Sequence, residues 1–104
     1  GSNVSIEKGS LDNTIISDRV LIDDLVQIGH NVKIGKGCQI TAGSILSGRC
    51  KIRRDCWIAP NVSVDNNITI GYKSIVGMGS VVRKDVKSKS VIAGNPAKLL
   101  RILK

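Results

Sequence analysis

The chain has 104 residues, room for one domain; it contains no phenylalanine, one tryptophan and one tyrosine, and 16 Lys and Arg against 8 Asp and Glu give a formal net charge of +8. A core with so few aromatic rings must be aliphatic and narrow, and a chain this small buries a limited share of its surface. The excess positive charge suits either an anionic partner or a solvated, soluble surface. The scarcity of rings to stack on bases and the lack of a known binding module argue against nucleic acid; no transmembrane, signal or transit segment is present, which argues against membrane insertion and for a cytoplasmic location.

Gly1-Ser2 reads as a cloning remnant. From Ile16 onward a hydrophobic residue falls on every sixth position: Ile22, Ile28, Ile34, Ile40, Leu46, Ile52, Ile58, Val64, Ile70, Val76 and Val82. That period is too long for a helical face and for the alternation of a lone strand. It is the signature of hexapeptide repeats, three hexads to a triangular coil, with coils stacked into a parallel β-helix. Four residues behind each inward aliphatic stand Val20, Val26, Val32, Cys38, Ser44, Cys50, Cys56, Val62, Ile68, Ser74, Ser80 and Val86, mostly small side chains suited to a tapering corner. The expected fold is all-β, a left-handed parallel β-helix of hexapeptide repeats with a short C-terminal helix. Residues 16–87 would form four coils, each rising about 4.8 Å. Extending the register backward puts Ser10 inward and Lys8 at a corner, so residues 3–15 read as a distorted or truncated first coil.

Within the coils, Asn31, Asn61, Asn66 and Asn67 suit corners that need positive φ. Cys38, Cys50 and Cys56 fall in the small inward class, with Cys38 and Cys56 one coil apart; their spacing matches no zinc motif, and they read as reduced thiols packed as small hydrophobes, with no metal. After the hexads, residues 88–104 read as a polar loop, a short strand at Val91–Ala93, a turn at Gly94-Asn95-Pro96, and a capping helix started by Pro96. The apolar residues of that helix would be Leu99, Leu100, Ile102 and Leu103.

The single histidine, His30, stands two residues after inward Ile28, so its side chain points out of the prism. Eighteen residues later comes Gly48, expected one strand above with a backbone N–H free to meet a carbonyl oxygen. Eighteen residues earlier comes Asp12, either an orienting partner for the imidazole or a solvated turn residue.

The segment Leu25-Val26-Gln27-Ile28-Gly29-His30-Asn31-Val32-Lys33-Ile34-Gly35 resembles the active-site segment of the UDP-3-O-acylglucosamine N-acyltransferases of lipid A synthesis, and Ile6 to Ile16 also looks like that family. The later coils resemble hexapeptide-repeat acyltransferases generally. The ending Val91-Ile92-Ala93-Gly94-Asn95-Pro96-Ala97-Lys98 resembles their CoA-dependent branch, which acetylates sugars and small molecules. Asn67 stands at about the position where the lipid A enzymes have a second active-site histidine, and the chain lacks their uridine-binding N-terminal domain.

The resemblance implies acyl transfer, most simply of an acetyl group from acetyl-CoA to the amino group of a nucleotide-linked amino sugar in bacterial surface-glycan synthesis. Such a reaction needs a base for the amine proton and a donor for the oxyanion. Histidine is the residue whose ordinary pKa suits the first role, and the Gly48 N–H would serve the second. The resemblance further implies a homotrimer with the pantetheine arm in a groove between subunits, along Ala59, Pro60, Gly77 and Met78, and with Lys98 and Arg101 meeting the nucleotide phosphates. One alternative is an acyl-carrier-protein-dependent N-acyltransferase of lipid A synthesis. Another is a non-catalytic scaffold or donor-binding module, which gives no reason for the Gln-Ile-Gly-His-Asn segment. A β-helical carbonic anhydrase needs three histidine ligands at each subunit interface, two of them from one subunit, and is excluded by the single histidine.

Overall fold

Two residues of each hexad, the inward aliphatic and the one before it, form a strand, and the other four turn the corner. The computed structural model describes residues 4–6 and 14–104, and of Ser5 and Ile6 only the backbone. Its strands fall into three faces. The first stacks β1 (Ser5–Ile6), β4 (Gln27–Ile28), β7 (Ile45–Leu46), β10 (Ser63–Val64) and β13 (Val81–Val82). The second stacks β2 (Ile15–Ile16), β5 (Lys33–Ile34), β8 (Lys51–Ile52) and β11 (Thr69–Ile70). The third stacks β3 (Leu21–Ile22), β6 (Gln39–Ile40), β9 (Trp57–Ile58), β12 (Ile75–Val76), β14 (Ser90–Gly94) and β15 (Ala97–Ile102). The result is the expected parallel β-helix, and among the described residues no helix is long and apolar enough to cross a membrane.

Between regular coils the paired residues are eighteen apart, as in Gln27 with Ile45 and Lys33 with Lys51. The two ends depart from this. Ser5 pairs with Gln27, so the lowest coil holds four residues more. At the top Val76 pairs with Ile92 and Ile70 bridges Val86, so the last coil is two residues shorter. Val86, expected in the small corner class, therefore sits above Ile70 on the second face.

The every-sixth aliphatics from Ile28 to Val82 are buried at 0–2% exposure and form one continuous core. The small class fills the corners, and its serines do more than fill space. Ser44 Oγ donates to Ala59 O at 3.0 Å and accepts the Val62 N–H at 3.2 Å; Ser74 does the same for Lys87 O and Ser90 N. Each buried hydroxyl thus pairs two backbone groups of the next coil that would otherwise be orphaned. The three cysteines are buried free thiols. A hydrogen bond from Cys56 holds the Cys38 thiol below its ordinary value and raises that of Cys56, while burial pushes Cys50 up to about 12.

Two expectations need correction. Of the four corner asparagines, Asn31, Asn61 and Asn67 have positive φ but Asn66 does not; Leu25, Arg49, Asp55 and Lys73 take up the left-handed position at other corners. The C-terminal helix is absent. Ser90–Gly94 and Ala97–Ile102 instead form an antiparallel pair, with Ala93 opposite Lys98 and Val91 opposite Arg101. A helix this short is marginal in water, whereas an unpaired β14 would leave an open sheet edge that β15 can satisfy. The apolar side chains assigned to the helix gain little burial from this, and Leu99 and Leu100 remain 57% and 64% exposed.

Candidate active site

His30 lies at the corner between the first and second faces, in the turn that follows β4. Two close approaches of the coils define its position. A Cβ on Gly29 would stand 2.7 Å from Gly48 N, so this corner closes only because Gly29 carries none. A Cβ on Gly48 would stand 2.6 Å from His30 Nε2 and 3.0 Å from Cδ2 and Cε1. The imidazole is therefore laid across the bare Cα of Gly48, as the eighteen-residue spacing anticipates.

The backbone holds this turn at several points. The Gly29 N–H donates to Leu46 O at 2.7 Å, the Arg49 N–H donates to His30 O at 2.9 Å, and the Asn67 N–H donates to Gly48 O at 3.1 Å. The Gly48 N–H has no backbone acceptor among the described residues. It borders a groove of about 560 Å³ lined by Gln27, His30, Ile45, Ser47, Gly48 and Asn66. The groove is polar, half-open and joined to the first face. It can hold a small acceptor against the imidazole and offer one N–H to a developing oxyanion.

One residue of this arrangement is missing from the sequence reading. Thr14 Oγ1 donates to Gly29 O at 3.0 Å and accepts the Val32 N–H at 3.4 Å, bridging the two ends of the turn that carries His30. The signal is present in the pattern: Thr14 precedes Val32 by one coil, in the same position relative to its turn as Ser44 before Val62. Asn66 rather than Asn67 shares the groove with His30, and Asn67 lines the other side of the corner.

The residues expected to hold the donor lie elsewhere. Ala59-Pro60 and Gly77-Met78 stack one above the other at the corner between the third and first faces, and a Cβ on Gly77 would meet Ala93 Cβ at 3.0 Å. Ala93 pairs with Lys98, so this small-residue column ends at a lysine. Arg101 is opposite Val91, away from the column on the third face. Within one chain the whole width of the first face separates the column from His30. Asp12 lies outside the described residues. Among the described residues, no three His, Cys, Asp or Glu side chains gather as metal ligands.

Residues 13–48 match the family model "Bacterial transferase hexapeptide (six repeats)". Serine acetyltransferase 2 of Arabidopsis thaliana is 60% identical over 30 residues, which is 29% of this chain and 9% of the plant protein. The crystal structure of Neisseria gonorrhoeae serine acetyltransferase superposes on 88% of this chain with a TM-score of 0.84 at 27% identity, and soybean serine acetyltransferase complexed with serine on 84% with 0.81 at 31%. In both cases the chain spans only 40% of the solved protein. A hexapeptide-repeat acetyltransferase of Vibrio cholerae, complexed with acetyl-CoA, matches the whole chain and 62% of its own length, with a TM-score of 0.52 at 29% identity. The chain carries hexapeptide repeats and folds as a parallel β-helix similar to that of these acetyltransferases.

Proposed function

We propose that the chain is the β-helical part of an acetyltransferase that moves the acetyl group of acetyl-CoA to the amino group of a nucleotide-linked amino sugar, with His30 as general base. The observation that carries this reading is the His30 imidazole laid on Gly48, beside a groove and a backbone N–H with no backbone acceptor. His30 Nε2 takes the amine proton as nitrogen attacks the thioester carbon, and the Gly48 N–H steadies the oxyanion. The tetrahedral intermediate then collapses with loss of the CoA thiolate, which takes up a proton. The donor arm lies along Ala59, Pro60, Gly77 and Met78, and Lys98 meets its phosphates.

Because that column and His30 occupy different corners of one prism, the working site is completed between subunits of a homotrimer, one supplying the base and its neighbour the donor column. Asp12 keeps its proposed role of orienting His30. The amino-sugar acceptor is supported by the resemblance of residues 25–35. A second reading, acetylation of a serine hydroxyl, is favoured by the serine acetyltransferases among the relatives.

The test is calorimetric titration with acetyl-CoA, together with thiol release in the presence of amino-sugar nucleotides or serine. Micromolar donor binding retained in His30→Ala, with turnover falling about 10²–10⁴-fold, is the expected result. No donor binding by a well-formed trimer, or full turnover in His30→Ala, would refute the proposal. Turnover with serine alone would select the second reading.

A further inference from the structure

The corner that carries His30 has two flanks. On the first-face side is the groove already described; on the second-face side is another, of about 300 Å³, lined by Asn31, Lys33, Arg49, Lys51, Asn67 and Thr69. The two are joined through consecutive residues, His30 with Asn31, Gly48 with Arg49, and Asn66 with Asn67.

Three cations line this second groove. Lys33 and Lys51 are direct register partners on β5 and β8, a spacing of about 4.8 Å at which like charges destabilise a parallel pair. Neither they nor Arg49 takes part in an ion pair among the described residues, where the pairs are Arg54 with Asp55 and Arg83 with Asp65. A nearby carboxylate at the upper end, Asp85, accepts the Thr69 N–H at 2.9 Å. The groove thus presents three cations, with the Asp85 carboxylate only at its upper end. A ligand that answers this charge carries phosphate groups.

We infer that this groove is the subsite for the phosphate of a phosphorylated sugar acceptor, seated on Lys33, Arg49 and Lys51, with the reacting group passing over the corner to His30. The inference rests on the acetyltransferase reading and deepens it. Three cations suit a diphosphate better than a single carboxylate. The arrangement also gives part of the net charge a location and a purpose.

The experiment is titration of the chain with inorganic pyrophosphate at low salt, in wild type, in the double variant Lys33→Met/Lys51→Met and in Arg49→Asn, which suits the positive φ at that position. Pyrophosphate should bind wild type, weaken at least tenfold in each variant, and weaken with added salt. It should raise the wild-type melting temperature more than that of the double variant. The double variant should melt no lower than wild type without ligand, since it loses a like-charge contact; Arg49→Asn provides an independent comparison should that variant fold poorly. Acetyl-CoA affinity should be unchanged in both variants. Unaltered pyrophosphate binding in the variants would overturn the inference, and so would displacement of pyrophosphate by acetyl-CoA, which would give the site to the donor. Failure here with His30-dependent acetyl transfer intact would remove the subsite and leave the proposed function standing.

Discussion

Gly48→Ala separates the chemistry of this site from its stability. The added Cβ would stand 2.6 Å from His30 Nε2, against ordinary contact from about 3.4 Å, so the ring must retreat by about 0.8 Å or rotate away. Gly48 does not have positive φ, so alanine meets no backbone penalty and shortens the range of the unfolded chain, worth about 0.4–1 kcal/mol in favour of folding. The first atoms the methyl meets belong to a side chain at a corner rather than to the core. A displacement approaching 1 Å from productive geometry costs up to about 10²-fold in rate. The expected result is a kcat lowered roughly 10- to 100-fold, with acetyl-CoA affinity unchanged and a melting temperature within a few degrees of wild type. Thiol release from acetyl-CoA with acceptor present measures the rate. The chain's single histidine gives one imidazole resonance, which should move between wild type and variant. Gly29→Ala supplies the contrast: its methyl would meet backbone, Gly48 N at 2.7 Å and Ser47 C at 3.0 Å, so the coils themselves must part, at about 1–3 kcal/mol. An unmoved His30 resonance with full activity in Gly48→Ala would refute the stacking of ring on glycine. A large loss of stability in that variant would refute the separation of site from scaffold.

Thr14→Val should lower kcat severalfold by loosening both ends of the His30 turn, while Thr14→Ser, which keeps the oxygen, should restore it; equal activity in the two variants would show that the hydroxyl positions nothing. Ser44→Ala removes a partner from Ala59 O and Val62 N in the buried interior and should cost about 1–3 kcal/mol in chemical denaturation. Between pH 9 and 12 the folded chain keeps the Cys50 proton that the unfolded chain has lost, so the unfolded state binds fewer protons and stability falls as pH rises. The slope from this thiol approaches about 1.4 kcal/mol per pH unit, and denaturation of Cys50→Ala over the same range should show a shallower decline.

The coils were legible because the physical constraint repeats. An interior this narrow admits one aliphatic and one small residue per hexad, and each further hexad tests the register again. Where repetition ends, so does that check. The last coil shortens by two residues, moving Val86 from the small corner class to the top of the second face. The strand β15 is not legible in the sequence because Leu99, Leu100, Ile102 and Leu103 fit a helical face and equally fit a strand, and the sequence contains no mark of the open edge on β14 that decides between them.

The site divides along the same line. Gly48 follows from periodicity, since one coil of eighteen residues must bring it to His30. Thr14 could have been found by the same arithmetic, because its register matches that of Ser44. What one chain's periodicity does not supply is the meeting of His30 with the column of Ala59, Pro60, Gly77 and Met78. Stacking conserves the corner, so residues that begin on different corners remain on different corners through every coil. A single prism therefore has no internal means of bringing base and donor together. For the chemistry proposed here, a thioester held along that column meets His30 only when a second prism stands beside the first, which makes assembly a condition of the reaction.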